Sequence, residues 1–229
     1  MDDIRPHMLN FLENHDEQRI ASRFFAGDAH RALPALVVSA SMGTSPFMVY
    51  AGQELGEAAA DAEGFSGADG RTSIFDYWSV PSLRKLLRGV RCFTAAEKRL
   101  YDYYRRVISL QNAEPALREG SFFDLMYAQP AAASGGGSPG FYAFLRKSEG
   151  QAVLVVANFG AEAADVELVI PQHAFDCLKM SPGTKCFRDL LTDGALLEAP
   201  FSPEQPFCIT LPAHGSRLLA FDEPADAAG

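Results

Sequence analysis

The chain has 229 residues, of which 48% are apolar and 21% charged, with a formal net charge of −9. That length suits one large or two modest domains of an ordinary soluble globular protein. A nucleic-acid binder needs a basic face to displace counterions from phosphates, and no dense Lys/Arg cluster supplies one, so neither nucleic acid nor an anionic membrane surface is expected as a partner. The longest apolar stretch, Ala32 to Met42, is too short to span a bilayer. The first residues, Met1-Asp2-Asp3-Ile4-Arg5, have no apolar run, so no targeting signal is expected in this segment and the compartment is not readable. Cys92, Cys177, Cys186 and Cys208 form no C-x-x-C pair, which argues against a zinc ribbon or redox motif; free, partly buried thiols are expected, with a Cys177–Cys186 bridge as the alternative.

In chain order, Met8-Leu9-Asn10-Phe11-Leu12 reads as a short strand. Asp28 is placed to cap a helix running to about Met42, kinked at Pro34 and stopped by Gly43. Phe47-Met48-Val49-Tyr50 is a second strand, closed by Gly52. A loop rich in Gly, Ala and Asp runs from Gly56 to Gly70. A short helix opens at Ser79-Val80-Pro81 and runs through Leu87. Thr94-Ala95-Ala96-Glu97 matches a capping box, and Leu100, Tyr104, Val107 and Ile108 recur behind it at helical spacing until Pro115. Strand, helix, strand, helix suggests parallel β/α units, and two of them cannot close a core alone.

From residue 118 the texture changes to short strands between turn residues. They are expected at Phe122–Tyr127, Phe141–Arg146, Ala152–Asn158, Asp165–Ile170, Lys185–Leu190, Phe207–Leu211 and Ser216–Phe221. Strands at this spacing point to an antiparallel sandwich. The expected organisation is therefore α/β plus all-β, with a boundary between 1–117 and 118–229.

Several patterns bear on chemistry. Glu13-Asn14-His15-Asp16-Glu17-Gln18-Arg19 follows the first strand directly, and polar residues at the carboxyl end of a barrel strand are where such barrels place their sites. Asp16 there could stabilise positive charge and His15 could hydrogen-bond a sugar oxygen; the alternative is a solvated helix start with Asp16 as N-cap. A metal site built on His15-Asp16 lacks further ligands, because His7, His30, His173 and His214 show no ligand spacing. Gly135-x-Gly137-x-x-Gly140 matches a dinucleotide fingerprint by letter only, since Pro139 and a following strand replace the required helix. Asp61, Glu63 and Asp69 resemble a calcium loop loosely, and the EF-hand spacing fails at Phe65. No G-x-S-x-G elbow is present, so a serine hydrolase has no support.

Taken together, the ordered segments resemble glycoside hydrolase family 13, the α-amylase family. Phe11-Leu12-Glu13-Asn14-His15-Asp16 is similar to that family's fourth conserved region, at the end of the seventh barrel strand. Pro46 through Gly56 is similar to its eighth strand and following turn, and Tyr104 through Arg118 to its last barrel helix. Leu154-Val155-Val156-Ala157-Asn158-Phe159 and Leu211-Pro212-Ala213-His214-Gly215 are similar to parts of its C-terminal β-sandwich. The resemblance implies a partial (β/α)8 barrel, strands seven and eight with their helices, followed by that sandwich.

The resemblance also implies roles. Asp16 would be the third catalytic carboxylate, stabilising the oxocarbenium-like transition state, and His15 would hydrogen-bond the same sugar. Asn14 would shape the turn, Arg19 would orient neighbouring carboxylates, and Asp69, Arg71 and Asp76 would line the substrate groove, although a structural role for Asp76-Tyr77-Trp78 is the stronger reading. The implied ligand is an α-glucan oligosaccharide. No cofactor is expected in this segment, and calcium belongs with the full-length relatives. Retaining glycosidases need a nucleophile and an acid/base carboxylate about 5–5.5 Å apart, which this family takes from strands four and five. With strand seven starting near residue 8, the isolated chain is expected to be inactive. Because two barrel strands expose apolar faces and unpaired edges, the segment from residue 1 to about 117 is expected to pack against its own sandwich, swap with another copy of the chain, or need the rest of a barrel. A transglycosylase or sugar isomerase on the same scaffold, or a non-catalytic carbohydrate-binding module, is the alternative. Exposed aromatics on one sandwich face, from Phe122, Phe123, Tyr127, Phe141 and Tyr142, would favour the last.

Overall fold

Backbone pairing and burial divide the chain into two compact units, 1–39 with 45–108 and 40–44 with 109–229. The computed structural model describes residues 4–60, 69–72, 80–130, 140–192, 194 and 196–223. The division falls inside one long helix, between Ile108 and Ser109.

The first unit holds a parallel strand pair, β1 (Asn10–Phe11) and β2 (Phe47–Met48), with Asn10 opposite Phe47 and Phe11 opposite Met48. Between them Asp28 accepts a hydrogen bond from the His30 N–H and opens a 3₁₀ turn, Ala29–Ala32, which leads into α1 (Leu33–Ser41). Pro34 therefore does not kink a helix already under way. It sits in the first turn of α1, where a missing N–H is harmless. Both strands are shorter than the apolar runs suggested, because a strand extends only as far as a partner pairs it, and among the described residues β1 pairs with β2 alone. Met8, Leu9, Phe11 and Phe25 are consequently more than two-fifths exposed.

Past β2, α2 (Pro81–Arg88) starts on its proline, as expected. In α3 (Ala95–Ala113) the capping box is reciprocal: Thr94 N–H donates to Glu97 Oε2 and Glu97 N–H to Thr94 Oγ1. Leu100, Tyr104 and Val107 face inward from that helix. Pro115 ends α3 and opens a further single turn, α4 (Pro115–Arg118).

The second unit is an antiparallel sandwich. Its larger sheet has the order β3-β4-β5-β10-β7-β8, from β3 (Ser121–Asp124), β4 (Phe141–Ser148), β5 (Gln151–Asn158), β10 (Ser216–Asp222), β7 (Gly183–Asp189) and β8 (Leu196–Phe201). Its smaller sheet pairs β6 (Ala164–Leu168) with β9 (Phe207–Leu211). The core lies between the sheets and centres on Phe187, whose ring centroid is 5.0 Å from both Phe207 and Phe221. Residues 152–157 of β5 are buried without alternation, because the strand is covered on both faces. On its other face, buried Arg146 donates to the carbonyls of Ser41, Leu117 and Gly120 and so ties chain turns to β4.

The two sandwich segments of the resemblance meet in space. Asn158 N–H donates to the Gly215 carbonyl and Asn158 Nδ2 to that of Pro212. Two elements were not expected: β8, whose residues are mostly exposed, and α5 (Gln172–Leu178), a short helix packing Phe175 into the core. The strand expected over 122–127 stops at Asp124, where the chain turns. All four cysteines are free and exposed, a correction to the expected partial burial and to the Cys177–Cys186 bridge. Asp61, Glu63, Asp76, Tyr77, Trp78, Gly135 and Gly137 lie outside the described residues.

Candidate active site at the end of the first barrel strand

Immediately after β1 the chain leaves the strand in a tight bend. Asn14 makes that bend: its Oδ1 accepts from the backbone N–H of Asp16 at 2.8 Å and of Glu17 at 2.9 Å. A short polar side chain satisfying two backbone donors is an Asx-type turn. No helix starts at Asp16, so the N-cap alternative does not apply. Asp16 is instead held out on the bend, its side chain 74% exposed, with His15 Nε2 3.5 Å from its Oδ1.

Beneath the bend lies a buried ion pair. Glu13 and Arg19 are 2% and 1% exposed, and Arg19 Nη1 donates to Glu13 Oε2 at 2.8 Å. Glu13 Oε1 accepts the Ile20 N–H at 2.6 Å. Arg19 also donates from Nε to Thr72 Oγ1, from Nη2 to the Ala51 carbonyl, and lies 4.1 Å from the centre of the Tyr50 ring. Its backbone N–H donates to the Gly70 carbonyl. One side chain thus links the turn after β1, the turn after β2 and the 69–72 segment. Enclosed this way, Arg19 presents no surface to a ligand, unlike Asn14, His15, Asp16, Asp69 and Arg71. Burial pushes the Glu13 carboxyl above its ordinary range, and Arg19 and the Ile20 N–H offset this only in part.

The 69–72 segment brings two more charges to the bend. Gln18 Nε2 donates to the Asp69 carbonyl, and Arg71 donates from Nε and Nη2 to Asp69 Oδ2 at 2.8 and 2.6 Å. Arg71 holds the Asp69 carboxyl below its usual range. The Arg71 guanidinium is raised first by that hydrogen bond, and the charges of Asp16 and Glu17 add to it. Gly70 between them has φ +85°, and a Cβ there would lie 2.2 Å from Ser22 Oγ, so only glycine lets this segment approach. Asp16, His15, Asn14, Asp69 and Arg71 are therefore gathered at one place, across more than fifty residues of sequence.

Around them sit groups the sequence reading passed over. Gln53 Nε2 donates to the buried Tyr104 hydroxyl, whose pKa burial raises. Glu54, also raised by burial, accepts the Gly52 N–H, and Glu57 accepts from Ser82 Oγ. The available signal was a charged residue within an apolar run, as in Leu12-Glu13 and Arg19-Ile20, since such charges are buried only when paired. Among the described residues no three His, Cys, Asp or Glu side chains converge as a metal site. No described helix is long and apolar enough to cross a membrane.

A parallel β–α–β pair with a polar bend at its carboxyl end, followed by an antiparallel sandwich, is the fold of the closing part of a β/α barrel with a C-terminal β-domain. Solved structures with that arrangement match nearly the whole chain. An Anoxybacillus α-amylase superposes with a TM-score of 0.62 at 19% identity, covering 99% of this chain and 40% of that one. AmyP, solved in complex with maltose, gives a TM-score of 0.62 at 20% identity over 96% of this chain and 42% of that one. The trehalulose synthase MutB from Pseudomonas mesoacidophila MX-45 gives 0.51 at 18% identity over 92% of this chain and 42% of its own. The chain spans about two-fifths of the length of these structures, and at such identities the likeness is one of fold. No protein-family profile and no curated protein sequence matches it.

Proposed function

We propose that the chain is the C-terminal part of an α-amylase-family retaining glycoside hydrolase acting on α-glucans, and that Asp16 is its transition-state-stabilising carboxylate. The observation that carries this reading is the exposed Asp16–His15 pair on a bend at the carboxyl end of a barrel strand, backed by a buried ion pair. An ionised carboxylate about 4 Å from an oxocarbenium centre is worth roughly 4 kcal/mol at an effective dielectric near 20. His15 would donate to a hydroxyl of the same sugar, and Asp69 and Arg71 would bind hydroxyls of its neighbour. Arg19 serves from behind as a positioning residue, holding Glu13 and hence the bend.

By the resemblance, the family's nucleophile and acid/base carboxylates come from barrel strands four and five, and the barrel strands among the described residues correspond to the seventh and eighth. The isolated chain then does not turn over α-glucan, and activity needs a polypeptide supplying the other barrel strands, which would seat on the exposed Met8, Leu9 and Phe11. Two assays test this. Sustained release of reducing sugar from soluble starch or maltooligosaccharides by the isolated chain would refute it. Co-expression with an N-terminal barrel portion of an α-amylase should restore activity, and Asp16→Asn in that complex should lower kcat by roughly 10²–10³-fold. The trehalulose synthase likeness supports a second reading, an isomerase on the same scaffold; an isomerised disaccharide from sucrose, instead of maltooligosaccharides from starch, would select it.

A further inference from the structure

The sandwich is lopsided. Among the described residues its larger sheet has six strands and its smaller sheet two, so the smaller sheet cannot cover the whole inner face of the larger. The strand register shows what stays open. Side chains two apart on a strand share a face, and so do cross-strand partners. Phe187 lies in the core, so Asp189, two residues on along β7, faces inward with it. Leu197 of β8 is paired with Phe187, and Leu219 of β10 with Asp189, which brings Arg217 to the same face. Phe187 is fully buried, whereas Leu197 is 45% exposed and the Arg217 side chain 34% exposed. The inner face therefore runs out from under the smaller sheet.

A cavity of about 400 Å³ occupies that step, floored by Phe187, Leu197 and Leu219 and closed on the side of the smaller sheet by Ile209 of β9. Its polar groups are bonded together at one place. Asp189, only 7% exposed, has its charge met by three donors: the Leu191 N–H on Oδ1, and Thr192 Oγ1 and Arg217 Nη1 on Oδ2, the last at 2.7 Å. Asp189 thus fixes the guanidinium against the cavity wall. Arg217 spends only Nη1 in doing so, and among the described residues its Nε and Nη2 take no partner. The result is an apolar pocket with one oriented cation whose remaining donors are unspent.

We propose that this cavity binds a small monocarboxylic acid with an apolar body of about eight carbons, its carboxylate on the free N–H groups of Arg217 and its chain over Leu197, Leu219 and Ile209. The planar guanidinium fork matches a carboxylate, and an apolar chain replaces water on an apolar floor. A cavity of this volume lined by apolar side chains, with a few polar groups to fix orientation, is the usual form of a small-molecule site. A sugar would lay its hydroxyls on a floor that offers them no partner. A phosphate dianion would meet a single cation already shared with Asp189. The site does not depend on Asp16 or on the α-glucan reading, and a ligand held by the folded sandwich alone would stabilise that unit by mass action.

Titration of the full 229-residue chain with octanoate at neutral pH, followed through the methyl resonances of Leu197, Ile209 and Leu219, tests this, with octanamide as the uncharged ligand of equal length. Octanoate should shift these methyls saturably with a Kd of roughly 0.1–1 mM, and octanamide should bind roughly 10-fold more weakly. At ten times Kd octanoate should raise the Tm of the sandwich by roughly 5 °C. Arg217→Met should erase the preference for the acid over the amide. Should that variant disturb Asp189 and the fold, Leu197→Glu on the exposed rim sets a built-in carboxylate against Arg217, and it should abolish octanoate binding with the Tm of the ligand-free chain unchanged. The proposal is overturned if octanoate moves only the exposed Met8 and Leu9 methyls, if octanamide binds as tightly as octanoate, or if Leu197→Glu binds octanoate like the wild type.

Discussion

The buried Glu13–Arg19 pair lends itself to a quantitative test. Arg19→Met keeps a long, flexible side chain against the Tyr50 ring but removes the guanidinium. It leaves the Glu13 carboxylate 2% exposed with its counter-charge gone, and it strands Thr72 Oγ1 and the Ala51 carbonyl. Removing one member of a buried ion pair costs about 3–5 kcal/mol. Set against about 5–15 kcal/mol for a whole domain, that should unfold much of the first unit while the sandwich stays folded. Adding Glu13→Gln removes the orphaned charge, so the double variant should recover about 2 kcal/mol of the deficit. The pH dependence has a definite sign. The folded-state pKa of Glu13 is raised, so its contribution to stability is fully present below about pH 4.5 and is lost as pH rises through the folded value. Arg19 lowers that pKa, so its loss raises it further, and the gap between variant and wild type should shrink from pH 8 to pH 5. Hydrogen exchange by mass spectrometry can follow residues 10–60 separately from 141–222, alongside urea unfolding by circular dichroism. A deficit below about 1 kcal/mol at pH 8, or one that grows on acidification, would refute the reasoning.

Two further outcomes follow from the same kind of bookkeeping. Arg146 is 1% exposed, burial lowers its pKa to about 10, and its hydrogen-bond partners are backbone carbonyls, so Arg146→Met should strand those acceptors and cost about 3 kcal/mol, a drop in Tm of roughly 10 °C; an unchanged or higher Tm would mean that burying the charge outweighs its bonds. The exposed Met8, Leu9, Phe11 and Phe25 should make the chain bind an apolar dye or self-associate, measured by 1-anilinonaphthalene-8-sulfonate fluorescence and light scattering, and Leu9→Lys with Phe11→Lys should suppress both; a dye-silent wild-type monomer would count against an unpartnered barrel face.

Much of the sandwich was readable because its information is local. β9 lies over the expected residues, 207–211, and β4, β5, β7 and β10 fall within a few residues of their apolar runs. The capping box of α3 was legible for the same reason: four consecutive residues carry both halves of it. That Asn14 shapes a turn came from the resemblance; read locally, the same residues suggested a helix start at Asp16, which the Asx turn replaces. The ordered motifs then pointed to a barrel end joined to a sandwich.

Other features depended on chain that is distant in sequence. β1 and β2 shrink to two residues each because ladder hydrogen bonds need a partner strand, which no apolar run encodes by itself. β8 escaped notice because an edge strand with mostly exposed residues shows no buried alternation. The resemblance gave Arg19 the task of orienting neighbouring carboxylates, but that Thr72, Ala51 and Tyr50 close over it was not legible. Asp69 and Arg71 come to the bend after β1 because Gly70 can pass within contact of Ser22. Sequence by itself determined which residues could carry charge and where the chain would turn. Tertiary structure decided which charges are buried and which stay in water, because burial and pairing depend on neighbours that the sequence holds far apart.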